Sequence, residues 1–192
     1  MTVPTFSIEM KLTEIGTPAK GTNAREVIVA IGPAFGKEMN KTIVKVDHAL
    51  VLREILSGIE EQGAVPRVIR SLRTADLAFM AHGAAKISGS GISIGLQSRG
   101  TIVIHQRDLD PLSNLELFPQ SPVITLDMYR EIGRNSAMYA LGESPNPVLV
   151  VNDEMTRPKY QAAAALLYLK ECQSLVPEQK PVELKAEFFI KE

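Results

Sequence analysis

The feature that most limits how this chain folds is the run E-V-I-V-A-I at residues 26–31, closed by Gly32-Pro33. It is continuously apolar and largely β-branched, with no polar alternation. A strand of that kind is covered on both faces, which places it inside a layered domain and not at a sheet edge. The next elements agree. Residues 48–62 put Val51, Leu52, Ile55, Leu56 and Ile59 on one stripe at helical spacing, and Gly63 follows where a C-terminal cap commonly sits. Residues 65–72, entered through Pro66, read as the next strand. Strand, helix, strand in this order is a right-handed crossover, the unit of an α/β sheet.

The rest of the chain extends this pattern. Residues 1–25 are polar and read as an N-terminal arm with at most a short strand at 6–12, ahead of one domain at 26–192. A second strand is expected at 42–46. Thr74 is the expected N-cap of a short helix reaching Ala85, with Asp76 in its first turn. Strands follow near 92–96 and 101–106. A helix is expected from about Thr125 to Leu141, ended by Gly142, and another over 159–175, with Pro158 in its first turn. A last strand covers 182–190. No repeat or low-complexity segment interrupts the order.

Composition narrows the function classes. At 192 residues the chain is one domain with room for a substantial core. A net charge of −1 argues against a general nucleic-acid or anionic-membrane binder. The single cysteine, Cys172, excludes an internal disulfide and fits a reducing compartment. No apolar run approaches the roughly 18 residues of a membrane helix, and no secretory signal stands at the start. The default location is cytoplasmic.

Two stretches carry the candidate chemistry. Residues 88–120, S-G-S-G-I-S-I-G-L-Q-S-R-G-T-I-V-I-H-Q-R-D-L-D-P-L-S-N-L-E-L-F-P-Q, are rich in glycine and end in an apolar Leu-Phe-Pro surface. They contain no P-loop, and a dinucleotide fingerprint would need glycine where Ile94 stands. Structural turns and a close strand crossing account for the glycines more readily than a ligand does. Residues 152–160, N-D-E-M-T-R-P-K-Y, gather Arg157, Lys159 and Tyr160 at a loop-to-helix boundary. Such a boundary suits an anionic, flat-ringed ligand, and equally an ordinary capped helix. His48, His82 and His105 are not at metal spacing, and no G-x-S-x-G elbow is present. His105 reads as a satisfied core or interface histidine, and Glu60-Glu61 as solvated surface. No catalytic or metal-ligating set emerges.

These strings, with E-V-I-V-A-I-G-P-A-F-G and L-R-E-I-L-S-G-I-E-E-Q-G nearer the front, resemble the medium (β) subunit of adenosylcobalamin-dependent diol and glycerol dehydratases over about residues 11–175. The resemblance implies a three-layer α/β/α domain with a mixed, mostly parallel sheet. It implies a complex with a large TIM-barrel subunit and a small subunit, doubled into a dimer of heterotrimers and served by a reactivating factor. The large subunit would turn a 1,2-diol into an aldehyde plus water by radical chemistry. This chain would cover the lower, dimethylbenzimidazole side of a base-on cobalamin shared with the large subunit. The Asp-x-His-x-x-Gly string of base-off enzymes is absent.

The matching motifs imply a cofactor-binding set. Asp76 and Asn114 would bond amides or tail hydroxyls, and Arg99 and Arg157 would supply cationic donors. Leu112, Leu117, Pro119 and Tyr160 would wall the benzimidazole. Arg99 departs from the lysine the family carries there, keeping the charge but offering a planar fork. The long N-terminal extension tied to packaging in some diol dehydratases is not seen. The other reading is the small subunit of the dehydratase-reactivating factor, a shorter, chaperone-like relative not expected to keep R-P-K-Y and L-F-P-Q.

Overall fold

The structure, a computed structural model, describes residues 7–191. Its elements in chain order are β1 (Ser7–Gly16), β2 (Glu26–Ile31), α1 (His48–Glu61), β3 (Val65–Arg70), α2 (Leu77–Ile87), β4 (Ile92–Leu96), β5 (Ile102–Gln106), β6 (Glu116–Phe118), α3 (Leu126–Ala140), α4 (Thr156–Cys172) and β7 (Val182–Lys191). One sheet runs β1-β7-β3-β2-β4-β5-β6.

The α/β class and the mixed sheet are as expected. Parallel pairing joins β3 to β2 and β2 to β4, while β1–β7, β7–β3, β4–β5 and β5–β6 are antiparallel. Antiparallel pairs are therefore the more numerous, against the mostly parallel balance expected. The reason lies in the connections. A parallel return needs a crossover element, which α1 and α2 supply, whereas the short turn between β4 and β5 allows only a hairpin.

Every residue of β2 is buried, and its side chains alternate between two cores. Val27, Val29 and Ile31 enter the larger core with α1 and α3, and Ile28 and Ala30 meet Ile69 and Ala84 on the α2 side. Burial on both faces is why the sequence shows no alternation here.

Helices α1 and α3 cross closely because each presents a glycine to the other. A Cβ at Gly58 would lie 2.1 Å from the Arg130 carbonyl oxygen, and one at Gly133 would lie 2.3 Å from that of Ile55. Over the crossing, Arg130 pairs with Glu54 and Glu61, and Arg134 pairs with Glu61 at 2.7 Å. Glu61 is thus an inter-helix acceptor and not the merely solvated residue expected.

Other expectations need correction. The segment at 42–46 is a turn, not a strand: the Thr42 hydroxyl accepts from the Val46 N–H at 3.2 Å, and Lys45 takes a left-handed φ of 67°. Its Ile43 N–H instead reaches the Arg99 carbonyl at 3.1 Å, tying the segment to the β4–β5 turn. The N-cap of α2 is Asp76, whose carboxylate accepts from the amides of Ala78 and Phe79 at 3.0 and 3.1 Å. Thr74 caps one step earlier by accepting the Asp76 N–H. The last helix ends at Cys172. Strand β1 is longer than the short strand expected in the N-terminal arm and joins the sheet through β7. Phe6, where that strand was expected to begin, lies outside the described residues.

Gly58→Ala and Gly133→Ala should each destabilise by roughly 2–3 kcal/mol, since backbone cannot yield as a side chain can. Thermal melting should fall by several degrees for each. A melting temperature unchanged in both would show that the crossing has slack.

Candidate functional site

The crossover β2–α1–β3 passes on one face of the sheet and β3–α2–β4 returns on the other. The carboxyl ends of β2 and β4 therefore flank the switch point where open α/β sheets commonly hold ligands. Here the chain fills that crevice with its own carboxylate. Glu171, fully buried near the end of α4, accepts from the Ser98 hydroxyl at 2.6 Å and from the Ser98 N–H at 3.1 Å. A Cβ at Gly32 would stand 1.8 Å from its Oε1, so only glycine leaves room for it.

Burial pushes the Glu171 carboxyl above its ordinary range, against the pull of the Ser98 bonds and of Arg99 and Arg70. Buried Arg70 donates to the carbonyls of Gly32, Pro33 and Phe35 at 3.2, 3.0 and 2.7 Å. Its own pKa is lowered by burial. Among the described residues its Nε has no partner.

His48 completes this floor. Its Nε2 donates to the Ser98 carbonyl at 2.7 Å, and its Nδ1 accepts the Gly36 N–H at 3.1 Å. The ring stacks on Phe35 with centroids 3.9 Å apart. Those two bonds use one donor and one acceptor, which is the neutral imidazole. Burial holds its pKa down at about 4.

Outside the plug lies a cleft of about 540 Å³ between the β4–β5 turn, the 119–122 segment and the first turns of α4. Arg99, Pro119, Arg157 and Tyr160 line it together with Ile43, Pro122, Ala164 and Ala165. Four of the eight residues expected from the sequence therefore meet in one place.

Arg99 is set by a relay. Its Nε donates to the Gln97 side-chain oxygen at 3.0 Å, and the Gln97 amide donates to the Ala75 carbonyl at 2.7 Å. Its guanidinium stands 5.7 Å from the centroid of the Tyr168 ring. Pro119 is carried by β6, whose Glu116 accepts from Asn135, Tyr139 and the Val148 amide at 2.9, 3.1 and 2.9 Å. This carboxylate ties the sheet edge to α3 and to the extended segment after it.

The other four expected residues fall outside the cleft lining. Leu117 faces an adjoining shallow depression with Phe118 and Val148. Leu112 and Asn114 sit exposed on the 107–115 loop. Because β5 and β6 are antiparallel, that loop lies at the far end of the edge from Arg99, roughly 15 Å away at the rise of five strand residues. Asp76 is near Tyr168 and Arg99, but its carboxylate caps α2. Sequence reasoning missed Glu171, Ser98, Gln97 and Tyr168. A glutamate in an Ala/Leu-rich helix gives no outward sign of being buried.

The glycine-rich stretch answers to packing and turns. A Cβ at Gly95 would come within 2.9 Å of the Leu77 carbonyl oxygen, and Gly100 turns at φ 103°. No group of three or more His, Cys, Asp or Glu suited to a metal ion occurs among the described residues.

Glu171→Ala should cost about 3 kcal/mol, because the buried Ser98 N–H and hydroxyl and the Arg70 guanidinium lose their acceptor or counter-charge. Since Thr156 and Glu171 are the two buried residues of α4, limited proteolysis should then cut within that helix first. An uncut α4 and an unchanged melt would refute the anchoring role. For His48, the folded-state pKa of about 4 lies below the ordinary 6.5, so the unfolded chain binds the proton more readily between those values. Its contribution is complete above pH 6.5 and is lost as the pH falls towards 4, to a total of about 3 kcal/mol. Denaturant melts of wild type and His48→Gln between those limits should converge at the acid end.

Comparison with known proteins places this geometry. A family model described as the dehydratase medium subunit matches residues 32–146, more than half of the chain. Among solved structures, a glycerol dehydratase reactivase is similar at 20% identity and a TM-score of 0.52, over 69% of this chain and 99% of that one. A diol dehydratase-reactivating factor complexed with ADP and Mg2+ is 23% identical over 69% of this chain and 97% of that one, with a TM-score of 0.47. At such identities the first likeness speaks for the fold alone, and the second carries no argument. By the extent of the family match, the chain belongs to the dehydratase medium subunit family.

Proposed function

We propose that this chain is the medium subunit of an adenosylcobalamin-dependent diol or glycerol dehydratase and that it covers the lower side of the base-on cofactor. The observation that carries the reading is the cleft where Arg99 and Arg157 flank an apolar wall of Pro119, Pro122, Tyr160, Ala164 and Ala165. A corrin with its nucleotide tail is a broad apolar platform rimmed by amides and bearing one phosphate. It calls for cationic donors beside aromatic and aliphatic contacts.

The rest of the site fits that group. Glu171 closes the internal crevice and puts a carboxylate there, so an anionic tail is held on the outer surface. The distance from Arg99 to the loop bearing Leu112 and Asn114 suits a large flat ligand lying along the β6 edge better than a compact one.

When bound, the cofactor supplies the radical chemistry by which a 1,2-diol becomes an aldehyde and water; the protein supplies binding and orientation. Arg99 and Arg157 hold the tail phosphate or amide oxygens. Tyr160 and Pro119 exclude water from the benzimidazole, and Asn114 donates or accepts at the rim. We assign this chain no catalytic residue. Leu166 on α4, 68% exposed, and Leu149, 88% exposed, project away from the fold. Apolar surface of this kind marks a contact with other subunits. These would be the large, diol-holding subunit and the small subunit, in a dimer of heterotrimers.

The second reading rests on the fold shared with a reactivase. There the chain would partner an ATP-hydrolysing subunit and promote cofactor exchange. Co-expression with the neighbouring subunits separates the two. On the dehydratase reading one large complex co-elutes, retains cobalamin and dehydrates propane-1,2-diol. Arg99→Ala or Arg157→Ala should then weaken cobalamin binding roughly tenfold or more without breaking the complex, and Arg99→Lys by less. Cofactor release driven by ATP would instead establish the reactivase reading.

A further inference from the structure

Strand β1 leaves a long side of the sheet open. β7 pairs it along one side, and among the described residues no strand pairs it on the other. The opposite edge, β6, is three residues long, whereas β1 has ten. A long edge is a template for another strand unless prolines, bulges or charges blunt it. β1 contains no proline, and its register shift lies at its end, between Glu14 and Gly16. What remains to decide its partner is the order of its side chains.

They sort by face. Ile8, Met10 and Leu12 are half-buried on one face, where Met10 and Leu12 reach the core under α1 and α3. Glu9 and Lys11 are exposed on the other. Consider β1 laid antiparallel to a copy of itself about a two-fold axis perpendicular to the sheet. Residues directly opposite share a face, so the axis falls at a residue and not between two. With the axis at Met10, Met10 meets Met10, Ile8 meets Leu12, and Glu9 meets Lys11, each of the last two pairs occurring twice.

The rows of the sheet then carry on through the junction. One runs Ala186, Leu12, then Ile8 and Ile190 of the copy, and is apolar throughout, although Ile190 is 73% exposed in the single chain. Another runs Glu187, Lys11, then Glu9 and Phe189 of the copy, which sets the lysine between two carboxylates. Neighbouring registers lack this match. An axis at Glu9 or at Lys11 opposes like charges, and an axis at Leu12 sets Met10 against Glu14.

We propose that β1 is a homodimer edge, where two copies of this chain pair β1 with β1 and continue one sheet across the contact. The occupant is a second copy because the edge is complementary to itself in charge and in face at one register. The pairing stands apart from the cofactor reading above. On that reading it joins the two halves of the dimer of heterotrimers.

Sedimentation of the full chain should show a mass rising towards that of a dimer with concentration. Glu9→Lys opposes lysines and Lys11→Glu opposes glutamates, so each alone should weaken dimerisation roughly tenfold. Mixed in equal amounts, these two variants should pair with each other, since every charged contact at the junction is then between opposite signs. The double variant Glu9→Lys/Lys11→Glu should pair with itself. In a Cys172→Ser background, Met10→Cys should cross-link under mild oxidation, in the assembled complex as in the chain alone, because Cα atoms opposed across the axis stand about 5 Å apart. Glu9→Cys in that background should not. A chain that stays monomeric at all concentrations and forms no Met10→Cys cross-link in the complex overturns the pairing. So does a dimer that neither charge variant weakens, or a failure of the two variants to associate when mixed. Where the single chain proves insoluble, the cross-link in the complex decides.

Discussion

A carboxylate buried at the switch point of the sheet is the contact on which the site depends. Ordinary α/β domains leave that crevice open because diverging loops create it. Here Glu171 enters from α4, accepts the Ser98 hydroxyl and amide, and lies against a glycine that leaves no room for a side chain. Burying a carboxylate is costly unless its lone pairs are satisfied and a counter-charge stands near; Ser98, Arg99 and Arg70 offset that cost in part, and burial still holds the Glu171 pKa up. With Thr156 it is what α4 buries in this fold. Arg157 and Tyr160, two turns or more away on the same rigid helix, take their places from it.

That arrangement moves recognition to the outside. The inner crevice is occupied by a carboxyl group, whereas the outer cleft carries two arginines on apolar walls. On the proposed reading a ligand along this surface would be half covered, and a second subunit would close it. Leu149, Val151, Leu166 and Leu169 are exposed and add apolar surface.

The central fold was legible because its signals are local and repeated. The run at 26–31, the α1 stripe and the helix from about Thr125 each reflect one physical rule, and each stands where it was read. The turn at 42–46 was misread because β-branched residues suit strands on average. Nothing in Thr42 or Lys45 shows in advance that Arg99, far away in sequence, will take the Ile43 amide. The three-residue β6 is too short to show a period. In the site, charged and aromatic residues on loops were legible as candidates, since they have no packing role to explain them. Glu171 and Gln97 were not, because their roles are set by burial and by partners contributed from other elements.

The surroundings of Arg99 show how a local relay turns a charge into a shaped donor. A lysine there would place a point cation on a flexible stem, free to rotate until a ligand arrives. Arginine adds the Nε–H, which Gln97 accepts at 3.0 Å while its own amide is held by Ala75. The Tyr168 ring lies 5.7 Å from the guanidinium carbon and further limits the stem. One edge of the guanidinium is thus spent on the protein, and rotamer freedom is given up during folding instead of during binding. The donors that remain keep a fixed direction, towards the cleft they line with Arg157. On the proposed reading, a guanidinium held in this way would select an anion by geometry as well as by charge, which a mobile lysine would do less well.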